Sequence, residues 1–339
     1  MGGASVYQSV RLAADLPMLN PEKPTADSGY AGTPFISVAI CTYNRAGLLR
    51  KTIDVLLPQL TGDTELLLVD NASTDTTPAL LAELAGRSGV RTCREEQIGL
   101  SLARNTALAG ARGDFVVFLD DDALVQPGWL AGYHRFFSNP PGRRIGGAGG
   151  AVEPEFETPP PAWVWQGTGR VPEKGQDQIC APSDNPWGCN FAVHREATLA
   201  VGGFNPDLGH HGNVSGAYEE VELLNRLRRA GYEVWWVANA SVRHLVEARR
   251  LRLGWQLSAA FRMGSCRAVH RLDALPSSGH RTAFTAGRVL IAPFHCLVNL
   301  LIAVLSFPFR GGAVAARALV HAASITGLTW KLVTQTFSR

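Results

Sequence analysis

The sequence predicts an α/β fold: a mostly parallel β-sheet flanked by helices, joined to an apolar, helical, membrane-associated C-terminal region. Three observations predict it. Short, continuously apolar runs alternate with helix-period stretches between residues 34 and 119, the pattern of parallel strands covered on both faces. Polar residues, aspartates above all, stand directly after those runs, where ligands of such sheets bind. Charge then shifts along the chain: residues 243–339 carry 13 Lys/Arg and 2 Asp/Glu, a net +11, against −8 for residues 1–242.

The elements follow in order. Residues 1–33 mix Gly, Pro, Ser and isolated apolars without a period, and no basic start leads into an apolar stretch. They read as a loose tail and not as a signal peptide. Phe35–Cys41 is the first strand, followed by a helix with apolar Leu48, Leu49, Ile53, Leu56 and Leu57 that stops near Pro58. Glu65–Val69 is a second strand and Pro78–Leu84 a second helix. Val90–Cys93 is a third strand, Leu100–Ala109 a third helix, and Phe115–Leu119 a fourth strand. Gly146–Gly150 reads as a close-packed strand in preference to a phosphate cradle. The stretch Glu153–Pro186, with seven prolines and with Trp163 and Trp165, reads as a long functional loop. Tyr218–Ala230 is a helix ended by Gly231, with Glu219, Glu220 and Glu222 at its positive end and Arg226, Arg228 and Arg229 at its negative end.

At 46% apolar and 18% charged residues, against about 25% charged in an average domain, the 339-residue chain is too apolar for disorder and can bury one large core or two modest ones. Its six cysteines form no C-x-x-C pair, which predicts a reduced, cytosol-facing protein without structural zinc.

After residue 246, Arg249, Arg250, Arg252, Arg262, Arg267 and Arg271 alternate with Leu251, Leu253, Trp255, Leu257 and Phe261, as expected of a basic amphipathic helix at an anionic membrane surface. Residues 289–309 then run for 21 positions without Asp, Glu, Lys or Arg, long enough to span a bilayer. Residues 311–330, interrupted by Arg317 and His321, either pair with that run as a hairpin or lie in the interface; two buried helices are the other reading. The organisation is thus a tail to residue 33, a catalytic domain over 34–246, a basic helix and linker over 247–283 and an apolar helical segment over 284–339.

The chemistry sits at the strand ends. Thr42, Tyr43, Asn44 and Arg45 follow the first strand, and Asp70–Asp75 the second; Ser73–Thr77 serve equally well as an Asx turn and helix cap. Asp120, Asp121 and Asp122 follow the fourth. Three adjacent carboxylates after a buried strand need a neutralising cation, and hard oxygen ligands suit Mg²⁺ or Mn²⁺ beside phosphate; a solvated turn is the alternative. No G-x-x-x-x-G-K-[ST] motif is present and no G-x-G-x-x-G follows the first strand, which excludes a P-loop and argues against a dinucleotide site.

Taken in order, Val38–Arg45, Leu68–Asp75, Ala103–Asn105, Phe118–Asp122 with Pro127 and Trp129–Leu130, Gly188–Ala192, Gly202–Phe204, Tyr218–Leu223 and Val242–His244 resemble the family 2 glycosyltransferases of GT-A fold. The resemblance implies a nucleotide pocket lined by Thr42, Asn44, Asp70 and Arg104, with Asp70 reaching the base, Arg104 near the diphosphate and Asp121 nearer the ribose. It implies a metal element at Asp120 and Asp122 with His244, and an acidic pair, Glu219 and Glu220, whose second member is the general base. Here the pair is Glu-Glu where the family more often has Glu-Asp. On the residues alone, helix-dipole complementarity also accounts for these acids, and His244 reads equally as a packed histidine. Trp187 and Asn190 are candidates for the acceptor side.

The expected protein is an inverting glycosyltransferase using Mg²⁺ or Mn²⁺. It moves a sugar from a nucleotide-diphosphate donor to a lipid-linked or polysaccharide acceptor, with no nucleic-acid partner. It works at the cytoplasmic face of the inner membrane, peripherally or through a C-terminal hairpin anchor, because arginines precede the apolar run. Two rivals share these features: a catalytically silent, membrane-bound glycan-binding or scaffold protein, and a haloacid-dehalogenase-type phosphatase with Asp120 as nucleophile and Asp122 as acid. The latter's motif usually follows the first strand of its domain, and here it follows the fourth.

Overall fold

A computed structural model of the chain describes residues 35–337 apart from 142–143, 163, 165–169, 182–183, 212–215, 274, 276–277 and 311. The expected tail, Trp163 and Trp165 lie outside the described residues. The chain divides into two compact units. One comprises residues up to Pro154 with Gly169–Asp207 and Glu219–Leu245; the other comprises Glu155–Thr168, Leu208–Tyr218 and Val246–Arg339.

The first unit is built as β1 (Ile36–Thr42), α1 (Ala46–Leu56), β2 (Thr64–Asn71), α2 (Thr77–Leu84), β3 (Val90–Glu95), α3 (Leu100–Gly110), β4 (Phe115–Leu119), β5 (Ala123–Val125) and α4 (Trp129–Ser138). It continues through β6 (Ile145–Gly149), β7 (Val152–Phe156), β8 (Gln178–Ile179), β9 (Asn190–His194), α5 (Arg195–Ala200), α6 (Glu219–Arg229), β10 (Glu233–Trp236) and β11 (Val242–Val246). Eight strands form one sheet in the order β3-β2-β1-β4-β9-β6-β10-β8, and β5-β11-β7 form a second. β1 pairs in parallel with β2 and β4, and β2 with β3, as continuous burial of Val38–Ile40, Leu66–Val69 and Phe115–Leu119 requires. β9 breaks the pattern by running antiparallel between β4 and β6, and β8 is antiparallel to β10.

The glycines of β6 are there for close approach. A Cβ on Gly149 would meet Pro186 at 2.3 Å, and one on Gly150, just past the strand, would lie 1.9 Å from the Ala240 carbonyl. The proline-rich stretch after β7 is not wholly loop, since Val152 and Val171 exchange backbone hydrogen bonds and β8 pairs with Trp235 and Trp236.

In the second unit, α7 (Leu253–Asp273), α8 (Ser278–Arg310) and α9 (Gly312–Phe337) pack together. Gly264 and Gly327 let α7 and α9 approach, because a Cβ on either would fall within 2.0 Å of a backbone carbonyl of the other helix. Over Gly279–Leu305 α8 is long and apolar enough to cross a bilayer. It displays large apolar side chains, Leu290 at 79% and Phe294 at 65% exposure among them.

Candidate active site

The ends of β1, β2 and β4 meet because those strands are neighbours in register: Thr42 pairs with Asp70, and Ala39 with Phe118. The loops that follow are tightly bent. Asn44 (φ 52°) and Ala72 (φ 58°) both adopt the left-handed region, a conformation concentrated at functional turns. Asn44 Oδ1 accepts from the amides of Thr74 (2.7 Å) and Asp75 (3.2 Å), tying the β1 loop to the β2 loop while the residue stays exposed.

The aspartates after β4 diverge. Asp121 is buried; it accepts from the Thr42 hydroxyl at 2.7 Å and faces Arg45 Nη1 at 2.6 Å. Burial pushes its carboxyl up to about 7, opposed by the Arg45 charge and reinforced by Asp122. Asp122 is buried between Arg45 Nη2 (2.6 Å to Oδ2) and His244 Nε2 (3.3 Å to Oδ1). The β5–β11 register delivers His244 opposite Ala123, and Leu245 N donates to the Asp122 carbonyl at 2.8 Å. Asp120, 35% exposed, turns the other way, to Arg104 Nη2 at 3.2 Å.

Arg104 is the hub of that other side. Although fully buried, its guanidinium meets Glu219 (2.9 Å), Asp120 and the Gly188 carbonyl (2.8 Å), and lies 5.2–5.6 Å from the ring centroids of Phe118, Phe191 and Phe204. Glu220 is half-buried beside it. Burial, with the neighbouring Glu219 charge, pushes its carboxyl up to about 8 against the pull of Arg104. A Cβ on Gly188 would stand 3.4 Å from both Arg104 Nη2 and Glu220 Cδ, in van der Waals contact with each.

Several expected roles change with the contacts. Asn190 does not face an acceptor. It is wholly buried, its Oδ1 accepting from Trp129 Nε1 and Tyr133 Oη and its Nδ2 donating to the Ala151 and Ala240 carbonyls. Asp70 does not reach a base in this conformation: its side chain is inaccessible, with Oδ1 on the Ser73 amide and Oδ2 on Arg94. Arg104, expected near the diphosphate, is enclosed by protein groups beneath the acidic residues Asp120 and Glu219. Trp187 is 38% exposed and available. Arg45 was given no role by sequence reasoning, although it closes the motif after β1. Glu222, beyond dipole complementarity, holds Arg226 through both carboxylate oxygens, and Arg226 in turn binds the Val201 and Gly203 carbonyls.

No group of three or more His, Cys, Asp and Glu is gathered closely enough among the described residues to enclose a metal by itself. The donor pair that does converge, a carboxylate and an imidazole, fits a divalent cation that takes its other ligands from a bound molecule.

Residues 37–199 match the family described as Glycosyl transferase family 2. Over that segment the chain is a family 2 glycosyltransferase. This glycosyltransferase is 28% identical to the succinoglycan biosynthesis protein ExoM of Rhizobium meliloti, over 87% of the chain and 93% of the relative. It is 24% identical to the glucosyl-dolichyl phosphate glucuronosyltransferase of Haloferax volcanii, over 78% and 87% respectively. Its fold is that of the mannosyltransferase PcManGT from Pyrobaculum calidifontis, solved in complex with GDP-Man and Mn²⁺, with a TM-score of 0.55 at 20% identity over 87% of this chain and 88% of that one.

Proposed function

We propose that the glycosyltransferase works by an inverting, metal-assisted displacement on a lipid-linked or polysaccharide acceptor. The observation that carries this reading is Glu220: a half-buried carboxyl beside the buried Arg104–Glu219 ion pair, its affinity for protons raised to about 8 by burial and the Glu219 charge against the pull of Arg104, with Asp120 on the same guanidinium. Such a group takes the proton from an acceptor hydroxyl as its oxygen attacks the anomeric carbon, while the bond from that carbon to the nucleotide diphosphate breaks. A base that deprotonates the acceptor hydroxyl as it attacks corresponds to a single displacement and inversion.

Asp122 and His244 would hold Mg²⁺ or Mn²⁺, with Asp120 within the same turn, and the bound cation would neutralise charge building on the departing diphosphate. Thr42 and Asn44 frame the nucleotide side, Asp121 lies beneath it, and Asp70 braces its loop. Trp187 offers a ring to the acceptor side. The exposed apolar face of α8 and the basic residues before it support contact with a membrane at its cytoplasmic face, where a lipid-linked acceptor would be found.

The test is a panel of nucleotide sugars offered to the full chain with Mn²⁺, with Mg²⁺ and with chelator, followed by NMR of the product's anomeric proton. Metal-dependent release of the nucleoside diphosphate with an inverted linkage is expected. Release of inorganic phosphate from phosphomonoesters would instead favour the phosphatase reading, and donor binding without turnover a silent binding protein.

A further inference from the structure

We propose that Arg45 is a resident counter-cation for Asp121 and Asp122, and that it makes divalent-metal binding conditional on a nucleoside diphosphate, whose phosphate oxygens take over the guanidinium. The inference rests on the metal reading above and goes beyond it.

Arg45 places one guanidinium nitrogen on each of the two adjacent carboxylates, both at 2.6 Å. The side chains of Asp121 and Asp122 are only 4% and 2% exposed, so the negative charge they carry has to be met from within the protein. Arg45, at 22%, is the accessible member of the trio. It stands at the N-cap of α1 in a non-helical conformation, and its side chain makes no capping hydrogen bond to the helix.

A divalent cation at Asp122 and His244 competes for the same carboxylate. Asp122 Oδ2 is already bonded to Arg45 and Oδ1 faces His244, so the metal must share or displace the guanidinium and meets its like charge at close range. A diphosphate resolves the conflict. It offers Arg45 a bidentate partner of the geometry that guanidinium groups prefer, and it brings further oxygen ligands to the metal. Metal and nucleotide then help each other bind through one side chain with two alternative partners, and the coupling is reciprocal.

The experiment is calorimetric titration of the full chain, wild type, Arg45→Met and Arg45→Lys, with Mn²⁺ alone, with UDP or GDP alone, and with Mn²⁺ in the presence of each nucleotide. Arg45→Met should bind Mn²⁺ alone about tenfold or more tightly than wild type, and should bind the metal-free nucleotide more weakly. Arg45→Lys, a point charge that holds two carboxylates less well, should move both affinities the same way by a smaller factor, and it carries the test if the Met variant does not fold. A residue that merely braced the fold would weaken both ligands together. Mn²⁺ binding that requires nucleotide in wild type but is no tighter in either variant overturns this proposal alone. No Mn²⁺ binding in any form, with UDP or GDP present, overturns it together with the metal reading.

Discussion

Arg104 Nη1 lies 2.9 Å from Glu219 Oε1, deep in the first unit, and this one contact joins the helix after β3 to the first turn of α6, 115 residues further along the chain. Glu220 follows Glu219 directly, so the direction in which its carboxyl points depends on where Arg104 holds its neighbour. The three phenylalanine rings around the guanidinium fix it in turn. Removing one partner leaves a buried charge uncompensated, at about 3–5 kcal/mol. Arg104→Leu should therefore lose both stability and transfer, and adding Glu219→Gln to it should recover part of the stability but not the rate. Chemical denaturation of the two single variants and the double variant measures this as a coupling energy.

Glu222 should behave differently from its neighbours. Its ion pair with Arg226 anchors the Val201 and Gly203 carbonyls, so Glu222→Gln should cost about 1–3 kcal/mol of stability while leaving kcat/KM near wild type. A large fall in turnover with an unchanged melting temperature would move Glu222 into the chemistry.

The pH dependence follows from Glu220. With its carboxyl raised to about 8, the base form is scarce at neutral pH, and kcat/KM should climb about tenfold per pH unit on the acid side before levelling. Glu219→Gln removes one of the causes of that rise and should shift the limb to lower pH. The stability sign is the reverse of the usual carboxylate case. A proton affinity higher in the folded chain favours folding below about 4.5, and that contribution is lost as pH rises through about 8.

Strands and helices with their own periodicity were legible in the sequence. Phe115–Leu119 is a strand at the predicted bounds, and the amphipathic α6 falls one residue inside its expected ends on either side. Pairing direction was not legible: β9 is not among the strands expected from the sequence, and nothing in Asn190–His194 marks it as antiparallel to β4 and β6. The two-residue β8, hidden among prolines, is too short to have a period. In the site, residue types pointed to the loops after β1, β2 and β4, and burial then separates the half-exposed Asp120 from the buried Asp121 and Asp122. Asn190 meets partners 61 and 57 positions earlier, and Asp70 meets Arg94 across the β2–β3 pair, contacts that no local pattern encodes.

Membrane contact has its own readout. The full chain mixed with vesicles containing anionic lipid should float with them and resist release by high salt, because burial of Leu290, Phe294 and Leu305 is not screened. Leu290→Glu together with Phe294→Glu should release it. Full release of the wild type by salt alone would reduce the interaction to the arginines.

The most direct test of the central claim is Glu220→Gln, which keeps the side chain's size but cannot accept a proton. Donor and Mn²⁺ binding measured by calorimetry should stay within about threefold of wild type, while the initial rate of sugar transfer falls by roughly 10²–10⁴-fold. A variant that binds donor and still transfers sugar at near the wild-type rate would contradict the account.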